Sequence, residues 1–290
     1  MLVYNTPQGL ARREGNDLAV LDLPHADVTA LLADSDEATI SQRLKTSTVR
    51  GRVPVNDVKV LAPVRTPRRL VLIGANYRNH VQEAGMPMPD APLFISLADT
   101  TLTGPDDDIV LPSEAPDRVD YEGELAIVIG RAGHQIPANR ACRHIGGLTA
   151  ANDVSARDVQ LSGMESGRIT DLGAVMRAKS FSTFKPLGPA ILVGERLSEE
   201  VDMTLRTSVN GRTRQVARTS DMIFDIPTII EYVSRSLELE VGDVLLTGTP
   251  GGVGLVTGSY LTPGDVVEVA IDGVGILQNR VVSSPPSSNS

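Results

Sequence analysis

The run Leu125-Ala126-Ile127-Val128-Ile129-Gly130 is apolar without a break and follows directly on Val119-Asp120-Tyr121-Glu122-Gly123-Glu124. A short continuous apolar run predicts a strand buried on both faces, so the chain must supply a layer on either side of it. Residues two apart in an extended chain share a face, which groups Asp120, Glu122 and Glu124 where that strand enters the interior. Carboxylates crowded there repel one another and lose hydration unless something positive sits among them. A divalent cation is the simplest solution; a solvated acidic strand end is the alternative.

Beyond residue 120 the pattern is strand after strand. Gly147 to Ala151, Ala190 to Val193, Met203 to Val209, Val244 to Thr247 and Val266 to Ile271 carry β-branched or apolar runs, and Asn210-Gly211 and Asp272-Gly273 are hairpin turn signals. One helix is clear. Asp225 can cap it, Pro227 suits its first turn, and Ile226, Ile229, Ile230, Val233 and Leu237 form its apolar stripe, with a stop near Gly242-Asp243. The regular strand–helix alternation of a doubly wound sheet is missing, so the expectation is a strand-dominated α+β domain.

Upstream, Leu18-Ala19-Val20-Leu21 reads as a strand and Glu37 to Leu44 as a short helix, while Pro63 to Pro67 reads as a boundary. The division expected is a small N-terminal accessory domain over 1–66, a catalytic domain over 67–282 and a disordered Ser/Pro/Asn tail over 283–290.

Composition limits the partners. The 290 residues carry a formal net charge of −9, and aromatics make up 3% with no Trp, so phosphate-backbone binding and base stacking are both disfavoured and no nucleic-acid partner is expected. The single cysteine, Cys142, fits a reducing compartment. The N-terminus lacks the charged and then apolar regions of a signal peptide, and no apolar run nears the roughly 18 residues of a membrane span. A soluble cytoplasmic protein without membrane contact is the expectation.

Three further groups can carry chemistry. Asp153, in Asn152-Asp153-Val154-Ser155-Ala156-Arg157-Asp158, could join two acidic residues of the neighbouring strand in an open site for a hard cation, or could simply cap a turn. His80 and Glu83 are three apart; on one helical turn the carboxylate would orient the imidazole as a base toward water, although such pairs are also common as plain surface ion pairs. Lys179 could hold a carboxylate or enolate oxygen, or be surface charge only. The loop Thr247-Gly248-Thr249-Pro250-Gly251-Gly252-Val253-Gly254 offers backbone N–H groups and hydroxyls to an anionic oxygen, yet matches neither a P-loop nor a dinucleotide fingerprint.

Six blocks in order, Asn76-Tyr77-Arg78-Asn79-His80, Asp120-Tyr121-Glu122-Gly123-Glu124-Leu125, Asn152 to Asp158, Lys179-Ser180-Phe181, Pro186-Leu187-Gly188-Pro189 and Thr247 to Gly254, resemble the fumarylacetoacetate hydrolase family. The resemblance spans roughly residues 68 to 282. It implies a mixed β-roll with short helices behind a small N-terminal domain, commonly as a homodimer. It implies Glu122, Glu124 and Asp153 as ligands of Mg²⁺, Mn²⁺ or Ca²⁺. It further implies His80 with Glu83 on a mobile lid, Lys179 against substrate oxygens, and Arg78, Arg157, Gln160 and Thr249 along the substrate pocket.

The chain also departs from the family's pattern. Ser182 stands where many relatives have aspartate, Met176 lies near where a tryptophan is frequent, and Ser96 replaces a lysine common in bacterial relatives, which implies a less anionic far end of the substrate. The activity implied is hydrolytic cleavage of a C–C bond in a small anionic β-diketo acid such as an acylpyruvate. Decarboxylation or isomerisation of a 2-keto diacid such as oxaloacetate or a hydroxyheptadienedioate is the alternative, and a non-hydrolytic biosynthetic or binding member of the family the second.

Overall fold

The apolar run forms the middle of a ten-stranded sheet. The computed structural model describes residues 1–285 apart from 35–36, 99, 101, 166–167, 195–196 and 198–200, and in helix 37–46 the side chains from residue 39 onward. In chain order, the first part supplies β1 (Leu2–Thr6), β2 (Gly9–Glu14), β3 (Asp17–Leu21), α1 (Val28–Ala33), α2 (Glu37–Thr46) and β4 (Val49–Pro54). Next come β5 (Arg69–Gly74), α3 (Arg78–Glu83), β6 (Leu93–Ala98), β7 (Ile109–Leu111), β8 (Val119–Asp120) and β9 (Gly123–Ile129). The middle holds α4 (Ala138–Ala141), β10 (Ile145–Asn152), β11 (Ser155–Ala156), α5 (Arg157–Ser162), β12 (Met164–Glu165), β13 (Arg168–Ile169), α6 (Leu172–Ala178) and β14 (Leu187–Leu192). The last part is β15 (Thr204–Val209), β16 (Arg212–Arg218), α7 (Ile226–Ser234), β17 (Val244–Leu246), α8 (Gly254–Thr257), β18 (Val266–Ile271) and β19 (Gly275–Ser283).

The main sheet runs β4-β3-β2-β1-β14-β10-β9-β17-β5-β6 and the second β16-β15-β18-β19-β7. Both are mixed: β17–β5 and β19–β7 are parallel, and the other pairs antiparallel. Every residue of β9 is buried. Leu125, Ile127 and Ile129 face a cluster shared with α7 and the second sheet, while Ala126 and Val128 face one shared with α1 and α2. Two apolar layers therefore clamp this strand, as its composition requires.

Most of the expected elements form where the sequence places them. Asp225 caps α7 by accepting the Thr228 N–H at 2.9 Å. The helix stops at Ser234, well short of Gly242, because the Ser234 carbonyl accepts the Gln135 N–H and the chain then turns to bring Leu239 beside Gly133. The segment 1–66 contributes β1–β4 as a direct extension of the main sheet, with β1 paired to β14 through Leu2↔Leu192 and Val3↔Ile191. Ser283, expected in a disordered tail, closes β19 opposite Leu111, and Ser284 donates to the Leu111 carbonyl; 286–290 lie outside the described residues.

The acidic strand is the main local difference. The strand is not continuous from Asp120 to Glu124: β8 pairs with β11, Tyr121 and Glu122 break the ladder, and β9 opens only at Gly123. Across the break Asp120 reaches the N–H groups at the start of α8, and Arg157 Nη2 bridges it to Glu122.

Candidate metal centre

Antiparallel register brings the acidic groups together. Asn152 lies opposite Gly123 and Ala151 opposite Glu124, and the Asp153 N–H donates to the Glu122 carbonyl at 2.8 Å. The end of β10 is thus sewn to the start of β9. One carboxylate oxygen from each of Glu122, Glu124 and Asp153 lies within 4.8 Å of the other two, and all three residues are buried. The Asn152 side-chain oxygen fixes the backbone here by accepting the Glu122 N–H at 3.0 Å.

Cations crowd the cluster. Lys179, the C-cap of α6, donates from Nζ to Glu122 Oε2 at 2.8 Å, Asp153 Oδ2 at 2.6 Å and Ser155 Oγ at 3.0 Å. Arg157, first residue of α5, donates from Nε to Asp120 Oδ2 at 2.8 Å, from Nη2 to Glu122 Oε1 at 2.6 Å and from Nη1 to Gln160 Oε1 at 2.7 Å. Lys185 is a second lysine here: its Nζ lies 2.7 Å from Asp153 Oδ1 and donates to the carbonyls of Val154 and Phe184. The Lys185–Asp153 contact is off the hydrogen-bond direction, so it is a charge pair that leaves Oδ1 without a directed donor.

Glu122 and Glu124 differ sharply in proton affinity. Burial would raise Glu122, but the charges of Lys179 and then Arg157 outweigh it and hold its carboxyl well below the usual range. Burial pushes Glu124 up, and the charges of Asp153 and Glu122 push it further, against the charge of Lys179 and the Gly248 N–H that its Oε2 accepts at 2.7 Å. A doubly charged cation removes the cause of that second effect. Three hard carboxylates from the adjoining ends of two strands, one with an undirected buried oxygen, suit Mg²⁺, Mn²⁺ or Ca²⁺.

Asp120, expected to help the ligands from behind, holds Arg157 against Glu122 and serves the start of α8. It accepts the N–H groups of Gly254 at 2.6 Å and Leu255 at 2.9 Å while pairing with Arg157. A Cβ on Gly254 would come within 2.6 Å of Asp120 Oδ1, so only glycine allows this approach.

The glycine-rich loop joins the cluster to the histidine. Glu83 on α3 accepts the Gly252 N–H on both oxygens, at 3.0 and 2.8 Å, and His80 Nδ1 lies 3.1 Å from Glu83 Oε1. Asn79 accepts the Gly251 N–H. Gly252 holds φ +104°, and a Cβ there would meet the Arg214 carbonyl at 2.1 Å. His80 and Glu83 thus share one helical face as expected, and Glu83 has its second partner in the loop.

The residues expected along a substrate pocket sit differently. Thr249 is buried, donating to the Gly123 carbonyl and accepting from Gln215 Nε2, so its hydroxyl braces β9. Gln160 accepts from Arg157, and Arg78 is exposed at the start of α3. Lys185, Gln215, Ser155 and the Asn76 hub (accepting from Phe224 N–H, donating to the carbonyls of Phe224 and Thr247) were not anticipated from the sequence. For Gln215 a signal existed: it is a polar residue at an inward position of β16, with exposed Val216 beside it and buried Ala217 beyond.

Residues 69–282 match the family model described as fumarylacetoacetate (FAA) hydrolase C-terminal. The chain belongs to the fumarylacetoacetate hydrolase family. It is 37% identical over 281 residues to the mitochondrial oxaloacetate tautomerase FAHD2A of Bos taurus, covering 94% of this chain and 87% of that protein. Among solved structures, it is similar to a 5-carboxymethyl-2-hydroxymuconate delta-isomerase from Mycobacterium smegmatis, with TM-score 0.74, 34% identity and coverage of 98% of this chain and 100% of that one. It is also similar to a maleylpyruvate hydrolase from Sphingobium sp. SYK-6, with TM-score 0.77, 27% identity and coverage of 98% and 100%. The fold is the family's α+β arrangement, and no described helix is long and apolar enough to cross a membrane. Family members named as tautomerase, isomerase and hydrolase thus share this architecture.

Proposed function

We propose that this chain is a divalent-metal-dependent enzyme that interconverts enol and keto forms of a small 2-keto diacid. The reading rests on one observation above others: three buried carboxylates converge, and a lysine ammonium is bonded to two of them. Glu122, Glu124 and Asp153 would hold the ion. When bound it would act as a Lewis acid toward neighbouring keto and carboxylate oxygens of the substrate.

The chain's own groups account for the rest. Lys179 offers its ammonium to an oxygen that gains negative charge as the α-proton leaves. His80, held through Nδ1 by Glu83, would take up or return that proton at Nε2. The bovine relative named as an oxaloacetate tautomerase supports this choice over other family chemistries.

A second reading, hydrolytic C–C cleavage of an acylpyruvate, is favoured by the His80–Glu83 pair, since the same base could activate water. We place the enzyme in the cytoplasm, as a homodimer, as part of this proposal. Purified protein with Mg²⁺ should be tested on oxaloacetate, following enol absorbance, and on acylpyruvates, following loss of the diketone. Fast tautomerisation without cleavage supports the first reading; cleavage with slow tautomerisation replaces it with the second.

A further inference from the structure

The strands that carry the acidic cluster have a second concave site at their other end. Gly130 lies six residues past Glu124, just beyond β9, about 20 Å of extended chain away. There a cavity of about 550 Å³ opens, walled by the end of α1, the chain after β9 and the start of β10. Leu32, Ile40, Ile145 and Val193, all buried, form its apolar side. Arg131 and Arg143 line it as well, and both are exposed. Backbone contacts set their chain segments side by side: the Gly130 N–H donates to the His144 carbonyl at 2.8 Å, and His144 Nδ1 lies 2.9 Å from the Arg131 carbonyl.

The charge at this end has one sign. From Leu125 to Asn152 the chain has no acidic residue, but it has Arg131, Arg140 and Arg143. Among the described residues none of these three side chains has a hydrogen bond or an ion pair, although the net charge of the chain is −9. Asp34, the carboxylate among the lining residues, is engaged by Arg43 at 2.7 Å and His25 at 3.0 Å. Glu240, beside the lining residue Val241, is held by Arg68. The two cavity arginines are thus left to a ligand. A guanidinium is a planar fork that fits a carboxylate or a phosphate, and the cavity has the size of a small-molecule site. An inorganic anion would leave the apolar side wet, and a neutral apolar molecule would leave the forks unused.

We propose that this cavity binds a small amphiphilic anion, with a carboxylate or phosphate head against Arg131 and Arg143 and an apolar body against Leu32, Ile40, Ile145 and Val193. The site is separate from the metal centre and does not depend on the reaction proposed above.

Calorimetry on the full chain tests this with octanoate, octyl phosphate, acetate and 1-octanol, once in Mg²⁺ with saturating oxalate and once in EDTA. Octanoate, octyl phosphate or both should bind with Kd below about 1 mM in both buffers, and the tighter one names the head group. Acetate and 1-octanol should bind at least about tenfold more weakly. Arg131→Gln combined with Arg143→Gln should weaken the tighter amphiphile about tenfold or more and leave Mg²⁺ affinity unchanged. Ala33→Leu narrows the cavity without altering a charge and should weaken the same ligand; all three positions are exposed, so the variants should fold. Unchanged affinity in either variant, or 1-octanol or acetate binding as tightly as the amphiphile, would overturn the inference. So would binding of neither amphiphile, or binding in EDTA alone, which would put the anion at the metal centre.

Discussion

His80 is held by a single contact from Glu83, and Glu83 by two from Gly252, so the imidazole takes its orientation from the glycine loop. Its side-chain hydrogen bond goes to Glu83 and to none of Glu122, Glu124 and Asp153. Replacing His80 with Ala should leave Mg²⁺ and oxalate affinity unchanged and lower kcat about 10²–10⁴-fold if the base transfers the rate-limiting proton. Steady-state kinetics on oxaloacetate and on an acylpyruvate would show which reaction depends on it; unchanged rates for both would remove His80 from the mechanism. At this scale much of the site was legible. Alternation grouped Glu122 and Glu124 with Asp120, which the break before β9 leaves outside the triad, and spacing joined His80 to Glu83 because that pair depends on one helical turn. Lys185 was not legible, since nothing around Phe184-Lys185-Pro186 shows that its neighbour in space is Asp153.

Between elements, the least expected brace is Gln215 of β16. It reaches from the second sheet into the break before β9, accepting the Gly123 N–H at 3.0 Å and donating to Thr249 Oγ1 and the Pro250 carbonyl, each at 2.8 Å. It thus ties the backbone between the two glutamate ligands to the loop whose Gly252 N–H holds Glu83. Gln215→Leu leaves a buried N–H and a buried carbonyl without partners, at a cost of about 1–3 kcal/mol for each such group. Chemical denaturation should report a loss of at least about 2 kcal/mol. A loss under about 0.5 kcal/mol would mean that the strand start holds itself. Strand runs and the Asp225 cap were readable from local pattern. The break at Tyr121-Glu122 and the early end of α7 were not, because partners distant in sequence decide both: Ser155 pairs with Asp120, and Gln135 takes the Ser234 carbonyl.

For the whole molecule, the buried charge links ion binding to stability. Without an ion, burial and the charges of Asp153 and Glu122 hold Glu124 well above its ordinary value of 4.5. The native chain then binds more protons than the unfolded chain, so this group's stabilising contribution is full below pH 4.5 and is lost as pH rises through its folded value. An ion replaces that proton, so the gain in Tm on adding Mg²⁺ should grow with pH across the same window. Thermal unfolding in EDTA and in Mg²⁺ at several pH values checks this; a gain that does not vary with pH would contradict it. The N-terminal strands extend the sheet that carries the ligands, a continuity that local pattern could not reveal because β1 finds β14 far along the chain. The most direct measurement is an anomalous difference map from crystals soaked in Mn²⁺. The account predicts one strong peak within about 2.0–2.6 Å of an oxygen from each of Glu122, Glu124 and Asp153, with Lys179 Nζ displaced from between them. A peak elsewhere, or none at saturating Mn²⁺, would contradict it.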